Sequence, residues 1–151
     1  MARALVLLCV VFALAGCGGS ADSPSSSGSA EPKTGLGGPT TPRQFTLPSK
    51  NIGCMVTTES ARCDIGEKTW KPPAKPADCR QAWGNAVTVT AQAATLTCAG
   101  DTVMGSAEIL AYGKAAQVGD FVCTSASAGV RCTHAPSGHG FTLARQEYTT
   151  F

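Results

Sequence analysis

The sequence lacks the short motifs by which several large enzyme classes are recognised. It has no phosphate-binding Walker loop, no glycine-rich dinucleotide motif, no cluster of residues with metal-ligand spacing and no paired-carboxylate motif. Residues 43–151 carry ten Lys or Arg and eight Asp or Glu, with both signs scattered, which argues against a nucleic-acid-binding surface. We therefore expect no cofactor, no bound metal and no nucleic-acid partner.

The N-terminal apolar run is too short to be a retained membrane span. Residues 4–16 are apolar or small, and Arg3 is the only charged residue before Asp22. As a helix, this run would cover about 20 Å of a hydrocarbon core that is about 30 Å thick. A positive start, a short apolar segment and small residues at its end are typical of a secretory signal peptide, which we predict for residues 1–16.

The end of this run, Leu14-Ala15-Gly16-Cys17, resembles the lipobox of bacterial lipoproteins. The resemblance implies that the Cys17 thiol takes a diacylglyceryl group and that a lipoprotein signal peptidase then cuts before Cys17. Acyl chains such as palmitate, at about 0.8 kcal/mol per buried CH₂, would anchor the protein stably. The expected location is the extracytoplasmic face of the cell membrane. The alternative is ordinary cleavage, with Cys17 a chance residue.

A flexible linker is expected between the lipid and a single folded domain. Of the residues from 18 to 42, sixteen of twenty-five are Gly, Ser or Pro, and no apolar period appears. We therefore predict a lipidated Cys and linker over residues 17–42. The remaining residues, 43–151, are enough for one small core.

The cysteines of the folded part predict three disulfides. Cys9 lies in the signal segment and Cys17 is lipidated, which leaves six: Cys54, Cys63, Cys79, Cys98, Cys123 and Cys132. "CMVTTESARC" and "CTSASAGVRC" both have eight residues between their cysteines and both end in Arg-Cys. Each suits a hairpin, with turns near Thr58 and Ser127, so we favour the pairs 54–63 and 123–132, leaving 79–98.

Strand patterns dominate the folded part. Apolar and polar residues alternate, or β-formers concentrate, in segments 86–98, 107–113, 119–125, 129–134 and 140–148. Residues 77–83 could make one or two helical turns that end at Gly84. The predicted fold is a small all-β domain, a disulfide-cross-linked sandwich or barrel of six to eight strands with at most one short helix.

An ordered series of motifs resembles one known domain. "PSKNIGC", "ARCDI", "CAGDTV", "LAYG", "GVRC" and "GHGFTLARQEYTTF" look like a domain of unknown function in secreted proteins and lipoproteins of high-GC Gram-positive bacteria. The resemblance covers about residues 44–151. It agrees with the cysteine framework and with an envelope location, and it implies no known activity and no catalytic residues.

Two cysteine-based sites are alternatives to the disulfides. A zinc site could be drawn from Cys123, Cys132, His134 and His139, but eight residues between the cysteines is far from zinc-site spacing, and exported thiols tend to be oxidised. "NIGCMV" is faintly similar to the catalytic loop of cysteine peptidoglycan transpeptidases. No histidine precedes Cys54, however, so a disulfide role is favoured there too.

His139 is the remaining candidate for a functional side chain. It lies in Ser137-Gly138-His139-Gly140, where it could contact a ligand or, more simply, belong to a structural turn. An envelope hydrolase could use His139 with Asp101 or Asp120 if folding brought them together. We predict no catalytic residue, and treat this enzyme as the alternative function.

The large aromatics give a weaker hint of binding. Trp70, Trp83, Tyr112 and Tyr148 could form a stacking surface for a sugar or peptide, although packing explains them more simply. The leading hypothesis is a membrane-anchored envelope lipoprotein whose domain is a non-enzymatic module that binds an envelope protein, a glycan or a small ligand. A structural surface protein without a discrete site is a further possibility.

Overall fold

The computed structural model describes residues 38–151. The predicted signal peptide, the lipidation of Cys17 and most of the predicted linker lie outside these residues. The described part contains ten strands: β1 (Arg43–Thr46), β2 (Ile52–Val56), β3 (Ala61–Ile65), β4 (Ala82–Val89), β5 (Ala94–Ala99), β6 (Ala115–Val118), β7 (Phe121–Ala126), β8 (Gly129–His134), β9 (Gly140–Leu143) and β10 (Tyr148–Thr150).

The strands form two five-stranded antiparallel sheets that pack as a sandwich. The first sheet has the order β1-β2-β3-β4-β5 and the second β10-β9-β8-β7-β6, so within each sheet every strand pairs with its neighbours in sequence, and the chain changes sheets once, between β5 and β6. The all-β class and the sandwich are confirmed, with ten strands where six to eight were expected. Within residues 38–151 there is no helix, and therefore none long and apolar enough to cross a membrane.

The centre of the sandwich is filled by two disulfides, one from each sheet. Cys54–Cys63 links β2 to β3, and Cys123–Cys132 links β7 to β8. All four cysteines are fully buried, and the Sγ atoms of Cys63 and Cys132 lie 3.6 Å apart across the sheet interface. Because both sulfurs are oxidised, this is a van der Waals contact. The surrounding core is aromatic and aliphatic, and its largest side chains are Phe45, Phe121 and Phe141.

The two sheets repeat one arrangement. In each, the second and third strands form the disulfide-linked hairpin, and the predicted turns are present: Thr57 N donates to Ser60 O in the first hairpin, and Ser127-Ala128 joins Ala126 to Gly129 in the second. The third bridge, Cys79–Cys98, ties the loop before β4 to β5. The three pairs are those that the cysteine spacing favoured.

Three local predictions differ from the structure. The predicted helix over 77–83 is absent: Cys79 N donates to Pro76 O to close a single turn, and β4 begins at Ala82. The proline-rich approach and the Cys79–Cys98 bridge prevent the turn from continuing as a helix. Gly84 lies inside β4, where the register shifts: its φ is 87° and a Cβ would lie 2.5 Å from the Pro72 ring.

The other two differences concern strands. Segment 107–113 makes only an isolated bridge, in which Thr46 N donates to Glu108 O and Leu110 N donates to Thr46 O. It therefore covers the free edge of β1, as edge strands commonly require. Segment 140–148 bends at its middle, so that β9 ends at Leu143 and β10 begins at Tyr148.

The connections gather at two ends of the sandwich. We call one end the groove end: it holds the β1–β2 loop, the start of the β3–β4 connection, and the β7–β8 and β9–β10 turns. The opposite end holds the β2–β3, β4–β5 and β6–β7 turns and the β8–β9 loop. Chain ahead of β1 reaches this opposite end, where Gly119 N donates to Pro39 O.

The Cys54–Cys63 disulfide in the core and the Cys79–Cys98 disulfide, which ties a loop to β5, should contribute differently to the free energy of unfolding. Loop length alone would give the Cys79–Cys98 bridge the larger effect, about 3 kcal/mol. We predict the reverse order, because the Cys54–Cys63 sulfurs also fill the core. The double substitution C54A/C63A should cost about 4–5 kcal/mol of unfolding free energy, and C79A/C98A about 3. Urea unfolding measures both, and a larger loss for C79A/C98A would contradict the central role of the buried pair.

Candidate functional site

A groove of about 560 Å³ opens between loops of both sheets at the groove end. Its size is within the range of small-molecule sites. We call it the end groove; it is lined by Leu47, Ser49, Lys50, Asn51, Ile52, Gly66, Glu67, Met104, Ala126, Ser127, Ala128, Gly129, Arg145 and Gln146. The lining combines three charged side chains, several hydroxyl and amide groups, and an apolar minority.

The β1–β2 loop presents Lys50 in an unusual backbone conformation. The Lys50 amide donates to Leu47 O at 2.8 Å, which closes a turn with Pro48 at its second position. Lys50 has a φ of 58°, the only positive φ of a non-glycine residue between 38 and 151. A left-handed residue with a Cβ costs about 1–2 kcal/mol, and such residues cluster at functional sites.

Asn51 fixes this loop to the end of the first sheet. Its side-chain amide nitrogen donates to Glu67 O at 2.8 Å, and its amide oxygen accepts from Glu67 N at 2.7 Å. Gly66 N also donates to the Asn51 carbonyl. Both ends of the Asn51 side chain are thus used, and the backbone that carries the Glu67 carboxylate is held beside Lys50.

Gly53 allows the floor of the end groove to form. A Cβ at this position would lie 2.8 Å from both Met104 Cα and Val103 O, closer than real side chains approach. The absence of a side chain on β2 therefore lets the segment after β5 lie flat against the sheet. This close approach brings Met104 to the groove.

The far wall of the end groove is the β9–β10 turn, which carries Arg145. Thr69 N and the Trp70 indole N–H donate to the carbonyls of Arg145 and Ala144, at 2.8 and 3.0 Å. The guanidinium Nη2 of Arg145 lies 3.1 Å from Glu67 Oε2. Both side chains are more than half exposed, so this ion pair contributes only about 0–1 kcal/mol.

A second charged cluster has a structural role. Arg62 in "ARCDI" donates from Nε and Nη2 to the two carboxylate oxygens of Asp64, and from Nη1 and Nη2 to the carboxylate and carbonyl of Asp101 in "CAGDTV". Val103 N donates to Asp64 Oδ2 at 3.0 Å. These bonds hold the segment after β5 against β3, and thereby support the groove floor.

The structure places His139 away from the end groove. It lies in the β8–β9 loop at the opposite end, half-buried, with its backbone N donating to Ser137 Oγ. The Ser137 hydroxyl also pairs with the ring of His134, whose Nδ1 is 2.8 Å away. In the described part of the chain no hydrogen bond or ion pair joins the His139 ring to Asp101 or Asp120. A ligand contact at His139 stays a prediction.

The other sequence candidates are used in packing or bridging. Cys54, Cys63 and Cys132 bring their sulfurs within 4.8 Å of one another, but all three are in disulfides and carry no thiolate for a metal or for catalysis. Trp70 packs on Tyr148, with ring centroids 4.6 Å apart. The Trp83 indole donates to Pro73 O, and Tyr112 is exposed in another loop: the four aromatics do not form one platform.

Sequence reasoning missed the two cations of the end groove. Lys50 and Arg145 are ordinary surface residues in a linear reading, and they lie far apart in the chain. One signal was available: Lys50 and Arg145 lie in two of the resembling motifs, "PSKNIGC" and "GHGFTLARQEYTTF". Neither side chain is part of the buried core, so packing does not explain its presence there.

Fold and site together define the class of protein: a disulfide-cross-linked β-sandwich with a loop-lined polar groove at one end. The model of a family of unknown function, DUF6636, matches residues 37–151. The chain belongs to this family, which agrees with the unknown-function domain expected from the motifs. Neither the curated proteins nor the solved structures contain a match to the chain.

The Arg62 cluster predicts a specific acid sensitivity. The hydrogen bond from Arg62, and then its charge, hold the pKa of Asp101 below the ordinary value of 3.8. The ionised Asp101 therefore favours the folded state above pH 3.8, and this contribution is lost as the pH falls through the lower folded-state pKa. Asp101→Asn should lower the urea midpoint at pH 7 and differ least from the unsubstituted protein at pH 2.

Asp78→Asn is the matched control, because Asp78 is exposed and makes no hydrogen bond or ion pair within residues 38–151. We expect this variant to follow the unsubstituted protein over the whole pH range. If the stability of Asp101→Asn also matched that of the unsubstituted protein at every pH, the hydrogen bonds between Arg62 and Asp101 would contribute nothing to the pH dependence of stability.

Proposed function

We propose that the chain is a membrane-anchored envelope lipoprotein, and that its β-sandwich is a non-enzymatic module that binds a ligand in the end groove. The observation that carries the binding role is the Lys50 conformation. Lys50 lines the groove with strained backbone, and its Nζ makes no hydrogen bond or ion pair with any residue from 38 to 151. Strained backbone of this kind clusters at functional sites, where the surrounding structure holds it.

The scaffold supports binding rather than movement. Two buried disulfides fix the hairpins, and the loops that line the groove are held by Asn51, by the Arg62 cluster and by the bonds from Thr69 and Trp70. A groove whose walls are already fixed loses little conformational entropy when a ligand enters. This favours a pre-formed recognition site.

Binding is also favoured over hydrolysis by what lines the groove. Glu67 is its one carboxylate, and this is paired with Arg145; the candidate base, His139, is at the opposite end of the sandwich. Within the described residues, neither Ser49 nor Ser127 is hydrogen-bonded to Lys50 or Glu67, so the lining shows no nucleophile with an adjacent base, the arrangement that covalent hydrolases use.

The anchoring part of the proposal rests on the lipobox-like Leu14–Cys17 and on the composition of the linker. A Gly/Ser/Pro-rich linker of this length has a root-mean-square reach of roughly 25–30 Å. A domain on such a tether would remain close to the membrane surface while its end groove is free to meet envelope components.

Intact-mass spectrometry of membrane-extracted protein tests the anchor. The expected mass is that of residues 17–151 plus acyl chains, less the six hydrogens of three disulfides. Treating a parallel sample with a thiol-blocking reagent should leave the mass unchanged. A protein that lacks acyl chains and is labelled at Cys17 would exclude lipid anchoring.

Amide NMR of the ¹⁵N-labelled full chain in detergent tests the binding role. Soluble glycans and small molecules extracted from the envelope of the producing cells should shift the signals of Ser127, Gly129 and Gln146. Gln92, at the opposite end, is the internal control, and the His139 signal reports the alternative ligand contact at that end. Shifts confined to the opposite end, or none at any concentration, would contradict a ligand site in the end groove.

A further inference from the structure

We propose that the end groove recognises a carboxylate group on its ligand, held between Lys50 and Arg145, and that the Glu67 carboxylate occupies part of this position when the ligand is absent. This inference rests on the proposed binding function and names the chemistry of the ligand. It follows from the charges of the groove, their partners and their exposure.

The charged side chains of the end groove sum to one positive charge. Lys50 and Arg145 are cationic and Glu67 is anionic. Lys50 Nζ has no hydrogen-bond or ion-pair partner in the described residues. Arg145 makes an ion pair with Glu67 through Nη2, and its guanidinium, which carries five N–H donors, donates no side-chain hydrogen bond within residues 38–151. Two of the loops that line the groove therefore carry cationic donors without a hydrogen-bond partner in the described residues.

Glu67 shows that the Arg145 guanidinium can pair with a carboxylate at this position. Its carboxylate oxygen lies 3.1 Å from Nη2, which is an ion-pair contact. The Glu67 backbone is fixed on both sides by Asn51, but the side chain is 74% exposed. The carboxylate can therefore rotate into solvent and leave the guanidinium to a ligand without any movement of the loop.

The same features favour a monoanion over a phosphate. Glu67 stays tethered beside Lys50 by its fixed backbone even when its carboxylate turns away from Arg145, so the groove keeps one net positive charge, which matches a carboxylate better than a phosphate dianion. A guanidinium fork pairs with the oxygens of either group, so the preference rests on charge. Beyond the cations, Leu47, Ile52 and Met104 offer apolar surface, and Ser127 offers a hydroxyl. A small organic acid, or the terminal carboxylate of a short peptide, fits this combination.

The direct test titrates the full chain in detergent with three probes by amide NMR: N-acetylalanine, its neutral amide, and inorganic phosphate. N-acetylalanine should shift the signals of Lys50 and Arg145 in a saturable way, and leave Gln92 unchanged. The amide should bind at least about tenfold more weakly, since it lacks the charge. Phosphate should bind more weakly than the carboxylate.

Substitutions distinguish the three side chains. Lys50→Gln and Arg145→Gln should each weaken N-acetylalanine binding about tenfold. Glu67→Gln should strengthen it about three- to fivefold, because the internal competitor is removed. Lys75→Gln controls for the loss of an exposed positive charge outside the groove lining, and Glu147→Gln for the loss of an exposed negative charge in the same turn as Arg145. Neither control should change the affinity more than about twofold.

The outcomes separate this inference from the proposed function. Equal binding of the acid and the amide in the end groove would overturn the carboxylate inference and leave the groove as a binding site. Preferential binding of phosphate, or no groove shift with any probe, would also overturn it. If Glu147→Gln strengthened binding as much as Glu67→Gln, the effect would come from net charge, and the role of Glu67 as a competitor would be wrong.

Discussion

The contact between two buried disulfides is the constraint on which the rest of this structure depends. Cys63 and Cys132 meet at 3.6 Å where the two sheets face each other, and each belongs to a bridge that fixes the register of its own hairpin. A register slip of one residue would turn either bridge out of the core. The same contact therefore sets strand register, sheet spacing and the alignment of the loops at both ends of the sandwich.

With the hairpins fixed, the groove end can be built from parts that would be unstable alone. The β1–β2 loop carries a left-handed lysine, β2 contains a glycine without a side chain to pack, and the segment after β5 has little regular structure. Side-chain bonds from Asn51, Arg62 and Trp70 compensate for these weaknesses. Several residues of the resembling motifs, such as Asn51, Arg62 and Asp101, thus support the site, while Lys50 and Arg145 line it.

Features of the fold that are encoded within one short segment were predictable from the sequence, and features that depend on distant residues were not. The two ten-residue cysteine hairpins were predictable because spacing and turn position are encoded within each segment. Segment 77–83 was mistaken for a helix because Pro72 and Cys98, which constrain it, lie outside the segment. Strands β1 and β6 were missed because Arg43–Thr46 and Ala115–Val118 are four residues long and alternate only weakly. The end groove was not predictable, since its walls come from distant parts of the chain and the Lys50 conformation depends on them.

The central claim is that ligands meet this protein at the groove end of the sandwich. The most direct measurement replaces Gln146 or Gln92 with a photo-crosslinking residue in producing cells; both glutamines are exposed in turns, one at each end. After irradiation, intact-mass spectrometry of the purified protein should show adducts for position 146 and none for position 92. Adducts at position 92 alone, or equal adducts at both positions, would contradict a binding site in the end groove.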